Sequence, residues 1–87
     1  MPHFTIYSRR GCHLCELLVE DLLAIVGQRA TVDIRDVDSR PDWLQKYNAR
    51  VPVVEYRDEV VCEGRMDRDA VRRRLDSTPE ALQHEAK

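Results

Sequence analysis

Ser8-Arg9-Arg10-Gly11-Cys12-His13-Leu14-Cys15-Glu16-Leu17-Leu18 is the stretch on which the fold of this chain turns. Upstream, His3 to Tyr7 alternates apolar Phe4 and Ile6 with Thr5 and Tyr7, and its β-branched and aromatic content suits a strand. Downstream, Leu14, Leu17, Leu18, Leu22, Ile25 and Val26 recur at three- and four-residue steps, while His13, Glu16 and Glu20 fall on another face. That pattern predicts an amphipathic helix closing at Gly27. The polar turn Ser8 to Gly11 joins strand to helix and sets both cysteines at the junction.

Working outward, Thr31 to Val37 alternates again, with Val32 and Ile34 on one side and Asp33 and Arg35 on the other. Strand, helix and strand in this span read as a right-handed βαβ unit with parallel strands. Ser39-Arg40-Pro41-Asp42 has the form of a helix start, with Ser39 as cap, a carboxylate three positions on and proline in the first turn. A short helix carrying Trp43, Leu44 and Tyr47 is expected to follow and end near Asn48. Val51 to Tyr56 and Val60 to Glu63 are two β-prone runs joined by Arg57-Asp58-Glu59, which predicts an antiparallel hairpin. Asp67 is a good N-cap for a last helix, with Met66 and Val71 as its hydrophobic staple and Ala70, Val71 and Leu75 as a narrow apolar stripe. Thr78-Pro79-Glu80 can begin one more turn. The expected organisation is one domain over 1–77 and a polar tail over 78–87, in the order β-α-β-α-β-β-α: an α/β fold with a central four-stranded mixed sheet flanked by helices.

Composition narrows the function. With 87 residues and 43% hydrophobic content, the chain has room for one modest core. Its 14 basic and 16 acidic residues give a net charge of -2 and form no basic stripe, which argues against nucleic acid. No apolar run approaches the roughly 20 residues that cross a bilayer, and the first residues lack the form of a secretory signal, so no membrane partner and a cytoplasmic location are expected. Three cysteines make a poor secreted framework, and a close pair in a reducing compartment points to redox or metal chemistry.

The pair has a physical logic of its own. Cys12 at a helix N-terminus meets unpaired N–H groups and the positive end of the helix dipole, which favour a thiolate. Such cysteines titrate between about 3.5 and 7.5, against about 8.5 for a free thiol. Arg9 and Arg10 add positive charge, as does His13 when protonated. Cys12 is thus the expected nucleophile, and Cys15, one turn on and more deeply buried, the resolving thiol. The rival readings are two small core residues, a zinc site that lacks a second cysteine pair, and a binding module that uses the cysteines without turnover. Cys62, on the predicted hairpin, reads as a packing residue, and no metal site is expected.

Taken together, Cys12-His13-Leu14-Cys15 between the first strand and first helix, Arg9 upstream, Val51-Pro52, and Gly64 with Asp67 before the last helix resemble the glutaredoxin branch of the thioredoxin superfamily, over roughly residues 3 to 76. The resemblance implies a thioredoxin-like fold and thiol-disulfide oxidoreductase activity. It implies that Pro52 is cis and that Val51 pairs in β fashion with an extended substrate or with glutathione. It sets Arg9, Arg10, Arg50 and Arg65 around Cys12, where their planar forks suit the two carboxylates of glutathione. Arg9 would take the glycyl carboxylate and Asp67 the γ-glutamyl amino group. The implied partner is a disulfide-bearing protein or glutathione, met by a monomer with no tightly bound cofactor and with glutathione as reductant. An iron–sulfur carrier using the same cysteines is the alternative within that family. The chain departs from the pattern in having His13 and Leu14 where glutaredoxins carry proline and an aromatic, Arg50 in place of threonine, and one glycine, Gly64, where they have two. It also has Arg10-Gly11 where thioredoxins place a tryptophan.

Overall fold

The computed structural model describes residues 1–76; the predicted turn at Thr78-Pro79-Glu80 and the polar tail lie outside them. Its elements are β1 (His3–Ser8), α1 (His13–Val26), β2 (Thr31–Asp36), a 3-10 turn (Val37–Ser39), α2 (Pro41–Tyr47), β3 (Val53–Tyr56), β4 (Glu59–Glu63) and α3 (Arg68–Asp76). The sheet runs β2-β1-β3-β4. β1 pairs parallel with β2, setting Ile6 opposite Ile34, and antiparallel with β3, setting Ile6 opposite Val54. β3 and β4 close an antiparallel hairpin. The order β-α-β-α-β-β-α and the mixed four-stranded sheet are those expected from the sequence.

Alternation along β1 sends its side chains into two separate cores. Phe4 and Ile6 are fully buried and pack with Leu18, Leu22 and Val26 of α1, Val54 and Tyr56 of β3, and Val71 and Leu75 of α3. Tyr7 points to the other face, where it stacks on Tyr47 of α2 at 4.0 Å between ring centroids and meets the edge of Trp43 at 5.7 Å. Val37 and Val53 complete this smaller core.

The buried stripe of α1 is Cys15, Leu18, Leu22 and Val26, and Leu14 and Leu17, expected on it, are instead 60% and 45% exposed. Steps of three, four and four residues centre the stripe on Cys15, so Leu14 and Leu17 fall to its flank. Gly27 ends the helix at φ 52°, with its N–H donating to the Leu23 carbonyl at 3.0 Å.

Four local expectations are corrected. Val37 leaves the strand and is buried in the 3-10 turn, while Ile34, on the uncovered edge strand, stays exposed. Ser39 does not cap α2: its hydroxyl donates to the Asp36 carbonyl at 2.6 Å inside that turn, and the cap position belongs to Arg40, which makes no side-chain capping bond. The hairpin reversal needs only Arg57 and Asp58, at φ 52° and 65°, so Glu59 joins β4. Two successive left-handed residues match the twist of the flanking strands and permit a two-residue loop. The strand before it begins at Val53 rather than Val51. Asp67 caps α3 as expected, its Oδ1 accepting from the Ala70 N–H at 3.0 Å, and Met66 packs against the same core as Val71.

Leu22 is fully buried against both β1 and α3. Leu22→Ala is expected to cost about 2–5 kcal/mol, read as a lowered midpoint in urea unfolding. The phenol of Tyr47 donates to the buried carboxylate of Glu55 at 2.5 Å, and burial, reinforced by that carboxylate, pushes its pKa above the ordinary tyrosine range. The unfolded chain then releases this proton first as pH rises, so stability is expected to fall above about pH 10. Melts from pH 8 to 11 check this, and Tyr47→Phe should remove part of the slope.

Candidate redox site

After β1 the chain turns through Gly11 at φ 74°, and Cys12 takes the N-cap of α1 with an extended backbone. Its Sγ accepts the Cys15 N–H at 3.2 Å, and its carbonyl accepts the Glu16 N–H at 3.1 Å. Cys12 thus performs with sulfur the capping that serine or aspartate performs with oxygen, and negative charge on that sulfur is favoured by the first-turn amide. Cys15 is 1% exposed and part of the buried stripe. The Cα atoms lie 5.2 Å apart and the sulfurs are at disulfide distance, so the pair closes without moving the helix. Cys12 is half-exposed, whereas the buried Cys15 borders a cleft lined by Ser8, Arg9, Glu16, Val19, Glu20 and Ile34. An incoming disulfide meets Cys12 first.

Val51-Pro52 is a cis peptide bond and Pro52 is buried. The Pro52 carbonyl accepts the Gly64 N–H at 2.7 Å, tying the loop before α3 to this segment, with Gly64 at φ 74°. The Val51 N–H donates to the Tyr47 carbonyl at 3.1 Å, so the amide the resemblance offers to a substrate is already engaged with the end of α2. The carbonyl side of Val51 is what is left for pairing.

The charged residues read from the sequence occupy distinct environments. Arg9 donates through Nε and Nη2 to both oxygens of Asp38, at 3.0 and 3.2 Å, and reaches the Asn48 side chain at 2.6 Å and its carbonyl at 3.4 Å. It ties the end of β1 to the 3-10 turn and to α2. Arg50 makes the same two-pronged contact with Glu63 at 3.2 and 3.0 Å and lies over the Tyr47 ring, and the guanidinium holds the Glu63 carboxyl below its usual range. Arg10 is 95% exposed, with Asp36 4.0 Å away. His13 begins α1 as an exposed residue whose Nδ1 lies 3.9 Å from the Glu16 carboxylate. Arg65 is exposed, and Asp67 uses one carboxylate oxygen as a cap. Cys62 packs against the larger core, and burial pushes its thiol up, partly opposed by a hydrogen bond from the Asp67 backbone. Asp38, Asn48 and Glu63 were missed by sequence reasoning, since nothing in their spacing links them to Arg9 or Arg50.

Leu14 and Leu17 line a groove of about 370 Å³ with Leu18, Asp21, Gly64, Arg65, Met66 and Arg68. Leu14 and Leu17 of α1 form one side of it, and Gly64, in the loop tied to Pro52, belongs to the other. Among the described residues no group of three or more histidine, cysteine or acidic side chains is arranged to hold a metal ion, and no helix is long and apolar enough to cross a membrane.

Comparison with known proteins agrees with this architecture. No curated protein matches the chain. Among solved structures, the X-ray structure of a structural genomics target protein from X. campestris, XcR50, matches with a TM-score of 0.67 and 26% identity, covering 87% of this chain and 99% of that one. The fold is thioredoxin-like, an α/β mixed sheet with three helices, and the paired cysteines give it the site of a redox protein. The sequence model of the family described as Glutaredoxin-like domain (DUF836) matches residues 3–76, and the chain belongs to that glutaredoxin-like family.

Proposed function

We propose that the protein is a thiol-disulfide oxidoreductase that exchanges a dithiol for a disulfide through Cys12 and Cys15. The observation that carries this reading is the cap itself: a half-exposed Cys12 sulfur receiving the Cys15 amide at 3.2 Å, with a buried second thiol one turn behind it. In the dithiol form the Cys12 thiolate attacks one sulfur of a partner disulfide. The new bond joins Cys12 to that sulfur, the partner's S–S bond breaks, and its electron pair leaves on the second sulfur, which takes up a proton. Cys15 then loses its proton and attacks the Cys12 sulfur, closing the Cys12–Cys15 disulfide and releasing the remaining partner thiol. Two electrons have passed to the partner. Two equivalents of a small-molecule thiol return the pair to the dithiol and leave as a disulfide.

The helix N-terminus stabilises the negative charge on the Cys12 thiolate, the form that makes the first attack. Arg10, exposed and loosely paired, adds a screened positive field to the approach. The roles of the two sulfurs follow from access, because Cys15 is buried behind the half-exposed Cys12. Cys62 stays outside the cycle, since a thiol whose ionisation is suppressed by burial is a weak nucleophile. A reducing compartment, the cytoplasm, suits a pair that works as a dithiol.

Cys12→Ser is expected to abolish turnover, and Cys15→Ser to accumulate partner mixed disulfides on Cys12, both read by mass spectrometry after acid quench. In the reduced protein, iodoacetamide at neutral pH should label Cys12 well before Cys62. Equilibration in glutathione buffers should interconvert dithiol and disulfide within roughly the −120 to −270 mV range of known thiol oxidoreductases. Full turnover by Cys12→Ser, or cysteines inert to every buffer, would remove the reading.

A further inference from the structure

We infer that the site is selective for disulfides carried on polypeptides and discriminates against glutathione mixed disulfides, an inference that rests on the exchange reaction proposed above. Glutathione presents two carboxylates and an amino group and has no apolar side chain. Its natural anchors are guanidinium forks, which match a carboxylate bidentately. In this protein two of the four guanidinium forks read as its anchors are covered by the chain's own carboxylates. Asp38 spans Nε and Nη2 of Arg9, with Asn48 taking further donors, and Glu63 spans Nε and Nη2 of Arg50. A glutathione carboxylate at either arginine must displace the resident one and then sit beside its negative charge. Each exposed pair is weak taken singly. The obstacle, however, falls twice on one ligand and includes like-charge repulsion.

The apolar surface beside the reactive sulfur has the opposite bias. Leu14, lying between the two cysteines, and Leu17, one turn on, leave the buried stripe and face the groove shared with Met66 and Gly64. Scattered exposed leucines need no explanation, but two adjoining ones in the first turns of the helix that Cys12 caps, backed by methionine, form a patch. The Gly64 N–H donates to the Pro52 carbonyl, so the loop that forms one side of the groove is tied to the Val51-Pro52 segment, whose free Val51 carbonyl is a group on which an extended chain can pair. Its rim carries Arg65, which has no ion pair among the described residues, and Arg68, paired with Asp21 at 3.3 Å. A polypeptide disulfide can seat an apolar side chain in the groove and an acidic one at Arg65. Burying one leucine-sized side chain is worth about tenfold or more in affinity, and glutathione has none to bury.

Single-turnover rates of the reduced, full-length protein on two probes test this. One probe is a synthetic peptide disulfide with leucine near its cysteine and glutamate beyond; the other is the mixed disulfide of glutathione with cysteamine. The peptide is expected to react about tenfold faster or more. Asp38→Asn with Glu63→Gln retains hydrogen-bonding side chains while releasing the two positive charges, and should raise the glutathione rate about threefold to tenfold with the peptide rate within about twofold. Leu14→Ser with Leu17→Ser, at exposed positions, should lower only the peptide rate, by about tenfold. Equal or faster reaction of the wild type with the glutathione probe overturns the selectivity and leaves the exchange reaction standing, as does a pair of double variants that move neither rate. Reaction with neither probe overturns the exchange reaction itself.

Discussion

Everything at the reactive end of this protein depends on how α1 is held against β1. Cys15, Leu18, Leu22 and Val26 lie on Phe4 and Ile6, and that contact fixes the rotation of the helix about its own axis. Rotation in turn decides which cysteine is accessible. A turn of one residue, about 100°, would bury Leu14 and lift Cys15 into solvent, so the asymmetry between the two thiols follows from core packing and needs no dedicated residues.

The second core performs a different task. Stacking of Tyr7 on Tyr47 brings α2 against the far face of the sheet, and the chain leaving α2 through Asn48 and Arg50 then reaches Val51 and Pro52. Arg9 joins these pieces, since its guanidinium bridges Asp38 and Asn48 from the end of β1. A residue that reads in the sequence as part of a positive field near Cys12 is in the folded chain a brace whose charge is largely answered. Its neighbour Arg10, without such partners, is the one left to act at a distance.

The sequence made the strands, the helices and the cysteine turn legible because each rests on a local pattern: alternation in β1, three- and four-residue steps in α1, a capping aspartate before α3. It misplaced features that depend on the third dimension. Leu14 and Leu17 match the helical period as well as Leu18 does, and only the position of the sheet shows which face is covered. Ser39 has a capping motif around it, yet the buried Val37 draws the chain into a 3-10 turn whose backbone claims the serine hydroxyl. Arg50 and Glu63 are brought together by the hairpin register, which no spacing rule encodes. At the site, the two sulfurs were readable from the motif, whereas the partners that occupy the arginines were not.

The ordering β2-β1-β3-β4 leaves two strands with an unpaired side. β2 carries the charged Asp33, Arg35 and Asp36 around exposed Ile34, and on β4, Glu59 and Glu63 stand at either end of a strand whose register with β3 shifts between Val54 and Glu55. Charge and irregularity of this kind make a poor template for another chain's strand. Addition of a further strand at either margin of the sheet is therefore disfavoured, and on the reading proposed above a partner that pairs through its backbone is left with the Val51 carbonyl.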